Sequence, residues 1–330
     1  MEKCEFTVGV DVSKLTLDIS CSQLNQHIQI SNDSKGFKNF GNWCKLHGIN
    51  KNNSLMVMEY TGGYEYRFIR FCELMSFKYC RVSGLDIKNS LGITRGKNDK
   101  VDSNRISIYA EEKIKKLNPS KPLNDSIIRL RELLSFRKRL VRENAALKAS
   151  SGERKHMYEP PASDTILKIS KRKIEQNNKD IKAIEKEMKA IILSDAALCL
   201  NYAIITSIKG IGPINALMTI AFTENFTSFD SGRAYAVYVG IVPFDHSSGT
   251  SIKGRKRVSH LANKELKQEL NQAAKTAIIH DPELRAYAEG KLKQKHYKVV
   301  LNNVKFKLVQ RIFSLVARGE KCVDNYRKRA

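Results

Sequence analysis

Short strand-like segments alternate with amphipathic segments over the first 82 residues, and their order restricts the fold. Strands are predicted at 5–11, 16–21, 27–30, 54–59 and 79–82, and helices at 35–46 and 64–75. A tight connection at Asp11–Lys14 joins the first two strands, so the first three form an antiparallel meander. Three strands followed by alternating helices and strands is the element order of the ribonuclease H-like fold, a mixed sheet flanked by helices.

Four carboxylates lie at the boundaries of these elements. Asp11 and Glu59 end the first and fourth strands, whose ends can lie side by side in such a sheet. Asp99 and Asp102 begin a predicted helix and, being three residues apart, share one face of it. Mg²⁺ prefers carboxylate oxygens, and two ions can clamp both oxygens of a phosphodiester exchange, so the sequence predicts a Mg²⁺ site. The alternative for Asp99 and Asp102 is a solvated helix start, which favours acids.

The net charge limits the partners of the chain. Its 58 Lys and Arg residues exceed its 34 Asp and Glu residues by 24, and the pI is about 9.7, which favours nucleic acid as a partner. No run of about 18 apolar residues or secretion signal is evident, which predicts a cytoplasmic protein with no membrane partner. The seven Cys residues lack metal-ligand spacing, and Cys4, Cys21, Cys44, Cys72 and Cys80 are expected to be small buried hydrophobes.

Residues 125–200 have the pattern of two long antiparallel helices. The first is expected to break between Ser150 and Pro161. The second has a repeating apolar seam made of Leu167, Ile174, Ile181, Ile184, Met188 and Ile191. Asn177 lies in this seam, where a polar residue fixes the register of paired helices. The pair is interpreted either as an intramolecular hairpin or as part of a coiled-coil contact between subunits.

A glycine-spaced turn follows at Ile208–Leu217. Lys209, Gly210 and Gly212 have the spacing of a helix-hairpin-helix turn, whose exposed backbone N–H groups hold a nucleic-acid phosphate. The same spacing also serves as an ordinary connector between two helices, and the sequence does not decide between them.

Two serines precede a basic run near residue 250. Ser247-Ser248-Gly249 is predicted to lie in a polar loop, close in sequence to His246 and to the cations Lys253, Arg255, Lys256 and Arg257. These cations suit a phosphoryl transition state, and a serine beside them is a candidate nucleophile. The alternatives are a simple turn for the serines and a phosphate contact for His246.

Five motifs in order resemble the transposases of the insertion sequence 110 family, related to the Piv DNA invertase. They are Gly9–Lys14, Met58–Tyr64, Lys97–Asp102 with Ile108–Ala110, Ile208–Pro213, and Tyr238–Pro243 with Ser248-Gly249. The resemblance extends from about residue 6 to residue 320. It implies a RuvC-like domain (1–120), a helical coiled-coil region (121–200) and a mainly helical transposase domain with the catalytic serine (201–330).

The resemblance also implies an activity. Asp11, Glu59, Asp99 and Asp102 correspond to the family's DEDD tetrad, and Ser248, with Ser247 as the alternative, to its nucleophile. The implied reaction joins the serine to DNA and exchanges strands between donor and target DNA, guided by a structured bridge RNA. The implied assembly is a homo-oligomer, a dimer or a tetramer, acting at the bacterial nucleoid. Two other functions fit the residues: a RuvC-like structure-specific nuclease that activates water, and a non-catalytic nucleic-acid-binding protein.

Overall fold

The computed structural model describes residues 4–323 except 91–98, 158, 162–163 and 249–251, and for 245–248 and 252–256 it describes the backbone alone. The chain forms two compact units, Met1–Leu123 and Asn124–Ala330. The predicted division into three domains is not tested by this result. The long helical segment lies within the second unit.

The first unit is a five-stranded sheet with helices on both faces. Its elements are β1 (Phe6–Val12), β2 (Thr16–Cys21), β3 (Gln26–Ser31), α1 (Ser34–Leu46), β4 (Ser54–Glu59), α2 (Tyr66–Leu74), β5 (Lys78–Val82), α3 (Gly84–Ser90) and α4 (Asp99–Lys113). The strand order is β3-β2-β1-β4-β5, antiparallel among the first three strands and parallel from β1 to β5. The predicted meander and element order are confirmed, whereas α3 was not predicted.

Each face of this sheet has its own core. Val8, Val10 and Met58 pack under α1 and α2 together with an aromatic cluster. Leu55 and Val57 point the other way, into a smaller core that includes residues of α4. Because side chains alternate along a strand, Asp11 and Glu59 belong to the α4 face.

The second unit is mostly helical. Its elements are α5 (Asp125–Met157), α6 (Thr165–Ser194), α7 (Ala196–Thr206), α8 (Pro213–Thr223), α9 (Gly232–Val239), β6 (Pro243–Ser248), β7 (Ile252–Val258), α10 (Lys264–His280), α11 (Pro282–Leu292) and α12 (Tyr297–Arg318). Parts of all these helices contribute to one buried core. The mixed α/β architecture with a mainly helical second part is as predicted.

Helices α5 and α6 pair as an antiparallel hairpin within the chain. Asn177 is buried and donates from Nδ2 to Oδ1 of Asn144 on α5 at 3.0 Å, so it faces the partner helix as predicted. The expected break between Ser150 and Pro161 begins later than predicted, because α5 continues to Met157 and α6 begins at Thr165. One Gly in a helix costs only about 1 kcal/mol, and the pairing with α6 outweighs that cost.

The cysteines and the helix lengths bear on two further predictions. Cys21, Cys44, Cys72 and Cys80 are buried, as expected, whereas Cys4 is only half-buried. Burial raises the pKa of the Cys44 thiol to about 12. In the part of the chain that the structure describes, no single helix is long and apolar enough to cross a membrane. Only α6 and α7 taken together meet that test, and they meet at a bend of 117°.

Candidate active site

Asp11 and Glu59 lie next to each other at the carboxyl-terminal ends of the parallel strands β1 and β4, which we call the carboxyl edge of the sheet. In the parallel pair β1 and β4, Val10 is in register with Met58, so the following residues are neighbours on the α4 face. Glu59 is accommodated by Gly84, where any Cβ atom would overlap the Glu59 carboxylate. The sheet therefore brings the first two predicted acids together, and their position follows from the parallel pairing.

Helix α4 is placed against this edge by an unusually close backbone approach. A Cβ atom on Gly9 of β1 would overlap the Ser103 carbonyl oxygen and the Ser107 amide nitrogen of α4. The Ser107 hydroxyl donates to the Thr7 carbonyl oxygen at 2.6 Å. The hydroxyls of Ser103 and Ser20 are hydrogen-bonded at 2.7 Å. Small residues and buried hydroxyls thus fix α4 directly on β1 and β2.

Asp99 and Asp102 occupy the first turn of α4, as predicted. The helix dipole favours acids at this position. Asp102 accepts a hydrogen bond from Nη1 of Arg105 at 2.8 Å, and its side chain is 26% exposed. Asp99 is exposed. The two acids are therefore accessible at the end of the helix.

The electrostatics of Asp11 show that the charges of the other three predicted acids act on its carboxyl group. Burial, followed by the charges of Asp99, Asp102, Asp18 and Glu59, raises the Asp11 pKa from 3.8 to about 6. No three acidic, His or Cys side chains of the described residues come close enough together to hold a metal ion. The chemistry of the donor set nevertheless fits Mg²⁺, since it consists of carboxylates whose mutual repulsion a cation would relieve.

A fifth carboxylate, Asp18, escaped the sequence analysis. It lies directly opposite Asp11 in the β1–β2 pair and is buried. Its two oxygens accept from Nε2 of His27 at 2.9 Å and Nε2 of Gln29 at 3.0 Å. The signal was present in the alternation of β2, which places Asp18 on the opposite face from Leu17 and Ile19. Recognising it required the register of the hairpin as well as its existence.

The two candidate serines lie on a β-hairpin, and the prediction of a polar loop is wrong. Ser247 pairs with Lys253, and Ser248, the last residue of β6, pairs with Ile252. This stretch has too few apolar residues to show strand alternation, so backbone pairing decides its structure. Gly249 lies outside the described residues, as do the side chains of His246, both serines, Lys253, Arg255 and Lys256. Arg257 is exposed.

The glycine-spaced turn connects α7 to α8. Gly210 has φ +92°, and a Cβ atom there would lie 2.6 Å from the Ala277 Cβ atom of α10. Glycine is therefore required at position 210 by the close packing of the turn against α10. Gly212 is the exposed N-cap residue of α8 and supplies no side chain to cap the helix. Lys209 is half-buried beside the turn. The open start of α8 is compatible with a phosphate contact and equally with a connector.

Comparison with known proteins defines the class of this molecule. A family model described as "Transposase IS116/IS110/IS902 family" matches residues 202–289. A second model, described as "Transposase" and specific to the DEDD type of IS110 elements, matches residues 8–151. The first match includes the serine-bearing hairpin, and the second includes the four carboxylates.

Relatives along most of the chain agree with these matches. The pilin gene-inverting proteins of Moraxella lacunata and Moraxella bovis are each 26% identical over 274 residues, which is 80% of this chain and 80% of theirs. A probable family 20 transposase of Pseudomonas aeruginosa is 26% identical over 105 residues, covering 32% of this chain and 29% of its own length. The chain belongs to the IS110 family of transposases and is a DNA recombinase.

Proposed function

We propose that the protein recombines DNA through a serine nucleophile assisted by a divalent metal. Asp11, Glu59, Asp99 and Asp102 would hold Mg²⁺, which when bound supplies Lewis-acid polarisation of the scissile phosphate. The Ser248 hydroxyl oxygen would form a bond to phosphorus while the bond to the leaving sugar oxygen breaks. The proton lost by the serine is balanced by the proton gained by that oxygen. The phosphodiester energy is kept for rejoining.

The placement of Asp11 beside Glu59, with Asp99 and Asp102 in the first turn of α4, is the observation that carries the metal site. Five carboxylates, including Asp18, act on one edge of the sheet, and a cation is the ligand that this arrangement favours. The strand order β3-β2-β1-β4-β5 supports the proposal, because it is the order of ribonuclease H-like and RuvC-like domains, which place acids at this edge. Asp18, whose two oxygens are engaged by His27 and Gln29, would add negative charge beside Asp11 without being a ligand.

The proposed partners are donor DNA, target DNA and a structured bridge RNA. Lys253, Arg255, Lys256 and Arg257 on the hairpin, and the turn with Lys209, Gly210 and Gly212, would contact phosphates. We also propose a homo-oligomer, a dimer or a tetramer, joined through the α5–α6 hairpin. Val141, Ile166 and Ile169 on that hairpin are 41–52% exposed and could pack against a second copy. The protein would act in the cytoplasm, at the nucleoid.

A RuvC-like structure-specific nuclease is the second candidate. All four carboxylates lie in the first unit, and that unit would suffice for hydrolysis by an activated water. The two candidates differ in whether the serine is needed. A non-catalytic binding protein would need neither the serine nor the acids.

The deciding experiment is capture of a protein–DNA adduct. Protein, Mg²⁺, labelled element-end DNA and the RNA that co-purifies with the protein would be incubated and separated on a denaturing gel. We expect an adduct with the unmodified protein and with Ser247→Ala, and none with Ser248→Ala. Asp102→Asn should bind DNA but form no adduct, since a metal-binding charge is lost while the shape is kept.

Other outcomes would overturn the proposal in distinguishable ways. Adduct formation by Ser248→Ala would reject that serine as the nucleophile. Cleavage with free 5′-phosphate ends and no adduct in any protein would establish the nuclease. Full activity of Asp102→Asn with Mg²⁺ as the sole divalent ion would reject the metal site.

A further inference from the structure

A cavity of about 730 Å³ lies in the second unit at the base of the serine-bearing hairpin. It is open on one side and is lined by residues of α9, α11, α12 and the segment that enters β6. Tyr287, Phe306, Leu284 and Val242 give it an apolar and aromatic lining. Its volume is within the range of about 300–1,000 Å³ that is typical of small-molecule sites. This volume and the aromatic lining suit a ligand of the size of one nucleotide.

A polar donor without a partner lies in the wall of this cavity. Nε2 of Gln310 is buried and has no hydrogen-bond partner among the described residues. Gly232 lies beside it, and a Cβ atom there would approach Gln310 Nε2 to 3.3 Å. A buried donor of this kind is normally satisfied, and a rotation of the Gln310 side chain, which lines the cavity, would offer it to an incoming acceptor. Nucleobases carry such acceptors on the edges of their rings.

Two cations at the rim suit the phosphate of the same nucleotide. Arg233 and Lys307 line the cavity, are exposed, and form no ion pair in the described part of the chain. The Lys307 Nζ atom lies 4.5 Å from the centroid of the Tyr287 ring. A third cation, Arg311, is already neutralised by Asp281 and Glu283 at 2.5 and 2.8 Å. The rim thus has a positive side near the aromatic wall.

We propose that this cavity receives an unpaired base of the DNA strand that is joined to Ser248. The inference rests on the proposed function. Tyr287 or Phe306 would stack on the base, Gln310 would donate to its edge, and Arg233 and Lys307 would contact the flanking phosphates. The choice of DNA follows from position: Pro243, the first residue of β6, lines the cavity, and Ser248 is the last residue of that strand. Pro243 and Ser248 are five residues apart along β6, which corresponds to a distance of about 17 Å. About five nucleotide steps along one DNA strand cover the same distance.

The test measures the affinity of the full-length protein for DNA at several salt concentrations. The probe is a fluorescent 30-nucleotide single-stranded DNA of mixed sequence, followed by anisotropy. Tyr287→Ala should weaken binding about tenfold with the slope of log K against log salt unchanged, because stacking releases no counterions. Arg233→Ala and Lys307→Ala should each reduce that slope by about one. Gln310→Leu, which keeps the volume and removes the donor, should weaken binding with no change in slope.

Two controls separate a lost contact from a damaged fold. Tyr297→Ala removes an exposed tyrosine that does not line the cavity, and should leave affinity and slope unchanged. Tyr287→Leu keeps apolar volume without an aromatic face, and should weaken binding as Tyr287→Ala does. Photocrosslinking of the same DNA containing 5-iodouracil should give an adduct on Tyr287 or Phe306, identified by mass spectrometry.

Failure of the cavity and failure of the proposed function are distinguishable. The cavity is rejected if the protein forms its Ser248 adduct while Tyr287→Ala, Tyr287→Leu and Gln310→Leu bind as tightly as the unmodified chain. Crosslinking of Tyr287 to RNA and not to DNA would also overturn the assignment. If the unmodified protein binds neither nucleic acid, the proposed function fails and the cavity proposal fails with it.

Discussion

Both units of the molecule are net positive, but the ionisable group with a shifted pKa is an acid in the first unit and a lysine in the second. The first unit has 19 Lys and Arg against 13 Asp and Glu, a net +6, and the second has 39 against 21, a net +18. In the first unit Asp11 is surrounded by like charges, and its pKa rises to about 6. In the second, burial and then the charge of Lys267 lower the pKa of Lys305 to about 8.

In both units the charged form of one group is unfavourable. Asp11 faces other acids, so a bound cation would relieve their mutual repulsion. Lys305 is 5% exposed and has no ion pair among the described residues, so its charge lowers the stability of the second unit. Four predictions test this comparison, from the largest expected effect to the smallest.

Gly9→Val should break the first unit. The new side chain would overlap backbone atoms of α4, which cannot move aside as a side chain does, so we expect a loss of about 3 kcal/mol or more in unfolding free energy. Urea denaturation would measure it. The control is Gly41→Ala in α1, where a Cβ atom meets nothing within 4 Å and a helix former should stabilise by about 0.5–1 kcal/mol. Equal stability of the two variants would contradict the close packing of α4 on β1.

Lys305→Met should stabilise the second unit near neutral pH. A lysine whose folded pKa is about 8 loses protons on folding between pH 8 and its unfolded value near 10.5, so stability rises with pH across that window. We expect a gain of about 2 kcal/mol at pH 7, shrinking toward zero above pH 10.5. The measurement is thermal unfolding from pH 7 to 10.5. A destabilised variant at pH 7 would show that Lys305 has a stabilising partner.

Asp11→Asn should stabilise the metal-free first unit while abolishing activity. An acid whose folded pKa is raised from 3.8 to about 6 takes up protons on folding, so stability falls as pH rises from about 4 to 6. Above pH 6 the variant should gain about 1 kcal/mol, a value reduced for solvent screening. Near pH 4 it should gain nothing. Unfolding in EDTA at both pH values is the measurement, and added Mg²⁺ should stabilise the unmodified protein alone.

Changes on the outer face of the hairpin should have the smallest effect on the fold. Ile166 and Ile169 are 52% and 41% exposed, so replacing both by Ser should change unfolding free energy by no more than about 0.5 kcal/mol. If this face joins subunits, light scattering should show a smaller particle. The matched control is Leu193→Ser, which changes another exposed residue of α6. An unchanged particle mass would place the subunit contact elsewhere.

The sequence predicted the structure of the first unit more completely than that of the second. Strand alternation and the rule that parallel strand ends meet at one edge placed Asp11 and Glu59 correctly beside each other. The close approach of α4 to Gly9 could not be predicted, because a glycine in a strand does not indicate which other segment of backbone packs against it. Asp18 was missed because its position depends on hairpin register.

In the second unit, the helices were visible and the serine hairpin was not. Helical spacing of apolar residues indicated α5 and α6, and Asn177 faces its partner helix as expected. The start of α11 has a signal in the sequence, an Asp281 N-cap followed by Pro282 at the first helical position. Strands β6 and β7 have no such signal in the sequence, since their pairing comes from backbone hydrogen bonds among polar and basic residues. The roles of Ser248 and of the four acids stay predictions.

The part of the α5–α6 hairpin that extends beyond the core of the second unit has a defined length. The core contacts of α5 end at Leu134 and the helix continues to Met157, so this arm is about 35 Å long. That length is about one turn of B-form DNA. Adding seven residues to each helix would lengthen the arm by about 10 Å, or three base pairs. If copies meet at their arms, the spacing between the two DNA sites joined in one reaction should grow with the insertion.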